Sequence, residues 1–291
     1  MSGGWQALDV HQHLWPEGFV AALAGRRDPP RLEGDQLVVA EGRFEARLES
    51  HDLATRLADL DRSQTERAVV MLQPTLGVGL LPDEERRALE DAWIEGTREL
   101  LEAAGGRLLA LAPARALDGF AGAVVPAAAL LDLERTAPLL DELERRRQPL
   151  FVHPGTATPP AGMPGWWAGV VDYTAELQRA YFAWLARREG RWASLRVVFA
   201  ILAGGAPFQL ERLGPRGVDV RSTLDPNLFL DVSSYGRRAI ELCVETFGVH
   251  QLVYGSDAPV VDPRPTLDAV RGFGDSVHKM VTSDNPKRVF P

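Results

Sequence analysis

The chain is short of cysteine, of lysine and of long apolar runs. Its one cysteine, Cys243, excludes an intramolecular disulfide framework and fits a reducing compartment. The surrounding Ile240-Glu241-Leu242-Cys243-Val244 reads as core. Only Lys279 and Lys287 among the 32 basic residues are lysines, a bias we attribute to genomic base composition. Basic runs are missing too, apart from Arg145-Arg146-Arg147, and the formal charge is −8, so there is no electrostatic footprint for nucleic acid. No segment reaches the roughly 18 uninterrupted apolar residues of a membrane span, and the first residues lack the charged start and apolar stretch of a secretion signal. The expected partner is therefore a small-molecule substrate, without nucleic acid or membrane, and the protein is read as cytoplasmic.

What is present suits one large domain. With 45% apolar and 25% charged residues the 291-residue chain can bury a substantial core. Short apolar segments alternate with longer amphipathic ones, the order of parallel strands joined by crossover helices. Eight strands are predicted, at residues 7–13, 67–73, 108–114, 121–126, 149–153, 196–202, 228–233 and 252–256. The fourth is Ala-rich and reads equally well as helix. Helices are predicted over 52–60, 83–104, 133–147, 172–189 and 236–247, with Gly105-Gly106 and Gly248 as stops. This is the pattern of an α/β fold, a (β/α)₈ barrel of the TIM type, which typically takes about 250 residues. The whole chain, 1–291, is read as that single domain.

An insert at 26–49 follows the first strand. Leu37-Val38-Val39 and Phe44-Glu45-Ala46-Arg47-Leu48 flank a turn at Gly42, which predicts a β-hairpin. Its place after a barrel strand puts it over the face where βα loops build active sites, as a lid. A second long segment, 154–171, carries Pro159-Pro160, Gly162, Pro164-Gly165 and Trp166-Trp167 in the same kind of position.

The chemistry gathers at strand ends. His11 and His13 close the first predicted strand two residues apart, so both side chains face one way. His153 ends the fifth strand and Asp257 follows the eighth. Taken singly, a strand-end histidine is usually a satisfied polar residue, and Ser-Asp after a strand is usually a helix cap. Together they place three imidazoles and a carboxylate on the catalytic face of one barrel. That set suits one divalent metal ion, zinc as first choice, with manganese, iron or cobalt as alternatives. An open coordination position would hold water with its pKa lowered to about 7, giving hydroxide at neutral pH.

Asp9-Val10-His11-Gln12-His13, Phe151-Val152-His153-Pro154-Gly155, Gly255-Ser256-Asp257-Ala258-Pro259 and the closing Asp284-Asn285-Pro286-Lys287-Arg288-Val289-Phe290 resemble the amidohydrolase-related branch of the amidohydrolase superfamily, over residues 7–290. That branch also contains aminocarboxymuconate-semialdehyde decarboxylase and its relatives. The resemblance implies that His11, His13, His153 and Asp257 bind the metal, that Asp257 also moves protons, and that the protein is a homodimer. One departure stands out: the branch usually has His-x-Gly-Gly after strand six, whereas this chain reads Leu202-Ala203-Gly204-Gly205, and leucine neither donates a hydrogen bond nor takes a proton.

Trp15, Trp166, Trp167 and Tyr235 are candidates to line an aromatic pocket, with Leu202 an apolar wall facing the metal. Arg26, Arg27 and Arg47 are candidates to grip a substrate carboxylate, while His51 reads as structural. Three functions fit these residues. The first is hydrolysis of a small amide, ester or lactone, with Asp257 as the catalytic carboxylate. The second is non-oxidative decarboxylation of a small carboxylic acid, and the third a catalytically silent barrel that binds metal and ligand.

Overall fold

The computed structural model describes residues 5–188 and 190–291. Eight parallel strands lie side by side in chain order: β1 (Leu8–His13), β5 (Arg67–Met71), β6 (Leu108–Pro113), β7 (Gly122–Pro126), β8 (Leu150–His153), β9 (Val197–Phe199), β10 (Leu228–Asp231) and β11 (Leu252–Val253). The intervening numbers, β2 (Arg31–Glu33), β3 (Gln36–Val39) and β4 (Gly42–Glu45), form a separate antiparallel sheet. The barrel closes where the chain after β11 returns to β1. Val10 N donates to Tyr254 O, Asp257 N to His11 O and His13 N to Ala258 O, at 2.8–2.9 Å. The seam thus stitches the histidine-bearing strand directly to the segment that carries Asp257.

The strands are continuous apolar runs because both faces are covered, by the barrel interior and by the helical layer. Phe151, Val198, Phe229 and their strand neighbours are almost wholly buried. The helices between them are α2 (Leu53–Ser63), α3 (Asp83–Ala103), α4 (Leu133–Arg146), α5 (Tyr173–Arg187) and α7 (Arg237–Phe247), with α1 (Glu17–Ala24), α6 (Pro207–Leu210) and α8 (Arg264–Arg271) added. Helix α2 starts where the Asp52 carboxylate accepts Thr55 N at 2.8 Å, and α3 where Asp83, Glu84 and Glu85 face the positive end of its dipole. All five helices expected from the sequence form. Residue 189, the expected end of the fourth of them, lies outside the described residues. The Ala-rich fourth strand forms as well, because pairing with β6 and β8 outweighs the helical preference of alanine.

Two local readings need amendment. The insert contains the expected hairpin, β3 with β4, but β2 adds a third strand and α1 precedes it. A three-residue edge strand after Pro29-Pro30 is too short to show a period. The sixth barrel strand stops at Phe199 and does not continue to 202, because the chain enters a left-handed turn from Ile201 to Gly205, with φ between 41° and 81°. Glycine is required in that turn at Gly204: a Cβ there would sit 2.0 Å from the Thr174 carbonyl oxygen. Gly204→Ala should therefore cost about 2–4 kcal/mol, from overlap and φ together, and lower Tm by several degrees. Gly105→Ala, also at positive φ but with open space around it, should cost about 1 kcal/mol. Equal melting shifts in a thermal scan would contradict this account of the turn.

Candidate metal centre

His11, His13, His153 and Asp257 meet at the open end of the barrel, with one donor atom of each within 4.8 Å of all the others. Asp257 is placed by left-handed backbone, φ 58°, just past β11, a conformation that aspartate tolerates. His11 Nε2 lies 3.2 Å from His13 Nε2, and His13 Nε2 lies 3.1 Å from Asp257 Oδ1.

The other nitrogen of each ring is already committed. His11 Nδ1 is 2.7 Å from Asp231 Oδ2, His13 Nδ1 is 3.2 Å from Met71 O, and His153 Nδ1 is 2.9 Å from Pro154 O. All three partners are oxygen acceptors, so each Nδ1 carries the hydrogen and each Nε2 presents its lone pair. Two buried lone pairs at 3.2 Å oppose one another unless a cation stands between them. The chemistry of the donor set therefore fits a divalent ion, with Nδ1 anchoring of the kind that holds metal-binding histidines in place.

The electrostatics agree. Burial, with the neighbouring rings, holds the His153 imidazole well below its usual range, and burial likewise depresses His13, keeping both neutral. For His11, burial opposes the charged form but the Asp231 carboxylate outweighs it, so its proton affinity rises. Asp257 is held below the usual carboxylate range, burial being outweighed by the closeness of His13 Nε2, 3.1 Å from its Oδ1, and of the other rings.

A second layer, not anticipated from the sequence, steadies this set. Asp231 ends β10 and also accepts Ser233 Oγ and Ser233 N. Gly255 permits its approach: a Cβ there would lie 2.1 Å from Asp231 Oδ1 and 2.6 Å from the His11 Cβ. Asp9 accepts His11 N, Ser256 N and Gln12 Nε2, and Gln12 Oε1 accepts Arg56 Nη1 at 2.7 Å. Arg56, almost wholly buried, also donates to His13 O and Ser50 O, and burial pushes its pKa down to about 10. The signal for Asp231 was present in the sequence, an aspartate closing an apolar strand just as Asp257 does.

Two cavities open at this end. One of about 320 Å³ contains the four metal-facing groups, together with Gln73, Thr75, Tyr173, Ile201, Ser234 and Tyr235. A second, about 350 Å³, lies under the insert and is lined in part by Trp15, Arg47 and His51. Tyr235, Trp15 and Arg47 thus reach the cleft. Trp166 and Trp167 line neither cavity: Trp166 is 59% exposed, Trp167 Nε1 bonds Asp172, and the side-chain-poor Gly165, Ala168 and Gly169 face inward in their place. Leu202 is corrected in the same way. The left-handed turn breaks strand alternation, so Ile201 forms the wall and Leu202 is buried away from it. The apolar wall remains, moved by one residue. Arg26 is tied to Glu85 and to Pro30 O, and Arg27 is exposed outside both cavities. His51 stacks on Trp15 at 4.3 Å and accepts Trp15 N, which accounts for its burial.

The fold and the site define the class: a TIM-type barrel whose strand ends carry a donor set able to hold one metal ion. The amidohydrolase family profile matches residues 8–291, and the chain belongs to that family. Comparison with curated protein sequences gives no match. Among solved structures, the chain resembles 5-carboxyvanillate decarboxylase from Sphingomonas paucimobilis, with TM-score 0.75, 17% identity and 99% of each chain covered. It also resembles 5-carboxyvanillate decarboxylase from Novosphingobium aromaticivorans, complexed with manganese and a nitrobenzoic acid, at TM-score 0.73 and 18% identity, covering 99% of this chain and 97% of that one. A third is dihydroxybenzoic acid decarboxylase from Polaromonas, with bound manganese and 2-nitroresorcinol, at TM-score 0.73 and 13% identity, covering 100% and 97%. No helix among the described residues is long and apolar enough to cross a membrane.

Elemental analysis should find about one transition-metal ion per chain. Asp231→Ala, which leaves the His11 Nδ1–H without its acceptor, should weaken metal binding about 10–100-fold in a chelator competition. His11→Ala should weaken it further. Unchanged affinity in both variants would remove His11 from the metal site.

Proposed function

We propose that this chain is a metal-dependent, non-oxidative decarboxylase of a small carboxylic acid, with His11, His13, His153 and Asp257 holding the ion. The observation that carries the reading is the lining of the metal cavity. Ile201, Val170, Val260 and Val261 give it apolar surface, and none of the described residues lining it is a lysine or arginine. An acyl-transfer reaction gains most from a charged donor aimed at the developing oxyanion, and the position the family pattern gives to histidine is apolar here, with Ile201 on the wall and Leu202 buried. Loss of carbon dioxide makes the opposite demand: charge leaves the carboxylate as the C–C bond breaks, and an apolar wall favours that dispersal of charge. Hydrolysis, first among the readings from the sequence, therefore gives way to decarboxylation. The decarboxylases among the structural neighbours support the same choice.

The bound ion would supply a positive charge for the substrate's anionic groups, and manganese is the one to load first, as in two of those neighbours, with zinc second. The chain does the rest. The three Nδ1 anchors keep the imidazoles from turning, and the apolar wall keeps water from the reacting carbon. Asp257 takes a proton from water at its carboxylate. As the C–C bond breaks, its electron pair stays on the substrate carbon, carbon dioxide departs, and the Asp257 carboxyl delivers its proton to that carbon.

The test is a screen of manganese-loaded and zinc-loaded protein over hydroxybenzoates and other small acids, alongside lactones, esters and amides. The expected result is carbon dioxide release, with one deuterium at the vacated carbon when the reaction runs in heavy water. Asp257→Asn should lower turnover at least about 10²-fold. Turnover of esters or lactones without carbon dioxide from any acid would restore hydrolysis, and metal binding without any turnover would favour the silent barrel.

A further inference from the structure

The cavity beneath the insert is not used by this chemistry. It is slightly larger than the metal cavity, about 350 against 320 Å³, and the two share Gln73, Thr75, Gly169, Tyr173 and Val260 as common walls. Its far side is apolar and belongs to the insert. Leu37 and Val39, two apart on β3, present the same face of the strand, and Phe44 faces Leu37 across the β3–β4 pairing. Trp15 and Leu76 extend the apolar surface.

The insert is fastened over this space. Glu41, in the turn between β3 and β4, accepts Ala157 N at 2.8 Å and the Tyr173 hydroxyl, tying the sheet to the loop after β8 and to the start of α5. Trp15 Nε1 donates to Gln73 Oε1 at 2.7 Å, which leaves the Gln73 amide hydrogens on the other side of the group. Arg47 is engaged at the rim by Pro259 O and, at 3.7 Å, by Glu45.

We infer that this chamber is a substrate subsite, and that the substrate is a two-part molecule: a reacting carboxylic acid head at the metal centre joined to an uncharged apolar extension seated under the insert sheet. The inference deepens the decarboxylase reading and rests on it for the head group. The extension is neutral because, among the described residues, the charged groups lining the chamber are the half-buried Glu41 and the rim pair of Glu45 and Arg47. A second carboxylate on the substrate would meet Glu41, whereas an alkyl or aryl group meets Leu37, Val39 and Phe44. Burial raises the pKa of Glu41, which marks the chamber as poorly solvated.

Binding of benzoate and of benzoates bearing 3- or 4-alkyl chains of one to six carbons to the manganese-loaded protein, measured by calorimetry, tests this directly. Affinity should rise about fourfold per methylene over the first few carbons and then level off. An extension ending in a second carboxylate should lose that gain. Val39→Trp, which fills the chamber, should abolish the dependence on chain length, and Phe44→Ala should reduce it, each with about one metal per chain retained. Leu80→Ala, at a side chain 80% exposed and outside both cavities, should keep the full dependence. Affinity that is flat with chain length in the parent protein, or a slope that survives Val39→Trp, would overturn the subsite. Carbon dioxide release is scored separately on the same acids. A normal slope without release from any acid would sink the decarboxylase reading and leave the chamber, and release from short acids with a flat slope would do the reverse.

Discussion

Three hydrogens govern the mouth of this barrel: those on Nδ1 of His11, His13 and His153. Each is given to an oxygen that can only accept, respectively Asp231, the Met71 carbonyl and the Pro154 carbonyl. Each donation fixes a tautomer, and together they turn three lone pairs toward one point beside Asp257. Without an ion between them this arrangement is repulsive, and with one it is a site assembled in advance. The two carbonyls come from the barrel's own strand ends, so they cost the sequence nothing special. Asp231 is the exception, a buried carboxylate that needs Ser233 and the absence of a side chain at Gly255 to be tolerated so close to His11.

Behind that layer, the seam of the barrel is held by charge as well as by backbone. Arg56 is buried and its Nη1 and Nη2 donate to Gln12, His13 O and Ser50 O, while its Nε has no partner among the described residues, and Asp9 ties Gln12 to Ser256 N. A buried guanidinium is expensive unless most of its hydrogens are matched, as those on the two Nη atoms are here, and breaking such a set is more damaging than never having built it. Here it fastens β1 to the segment carrying Asp257, so the cost of burial is spent at the place where the donor atoms must not drift apart.

The eight strands and the four metal-facing residues could be read from the chain because each reports itself locally. Apolar runs such as Leu150-Phe151-Val152 mark strands covered on both faces, and His11, His13, His153 and Asp257 sit where those runs stop. The pairings of the second layer are legible only in space: Asp231 can be marked as an aspartate closing an apolar strand, but it is 220 residues from His11 in the chain, and nothing in its neighbourhood names its partner. Leu202 shows a different limit. The family's His-x-Gly-Gly position pointed to it, but the chain runs left-handed from Ile201 to Gly205, and Ile201 takes the wall. The aromatic pair Trp166-Trp167 misled for a related reason, since the loop turns its small residues inward. The insert's third strand was too short for any period, although its consequence, a roofed apolar chamber latched by Glu41 and Tyr173, bears most on what the substrate looks like.

The central claim is that one ion binds through the Nε2 atoms of the three histidines and a carboxylate oxygen of Asp257. Anomalous scattering from crystals of the manganese-loaded protein, collected on either side of the manganese edge, locates that ion without reference to activity. The account predicts one strong peak per chain, within about 2.0–2.3 Å of those four atoms. A peak bonded through Nδ1, or one seated elsewhere while the four groups remain hydrogen-bonded to each other, would contradict it.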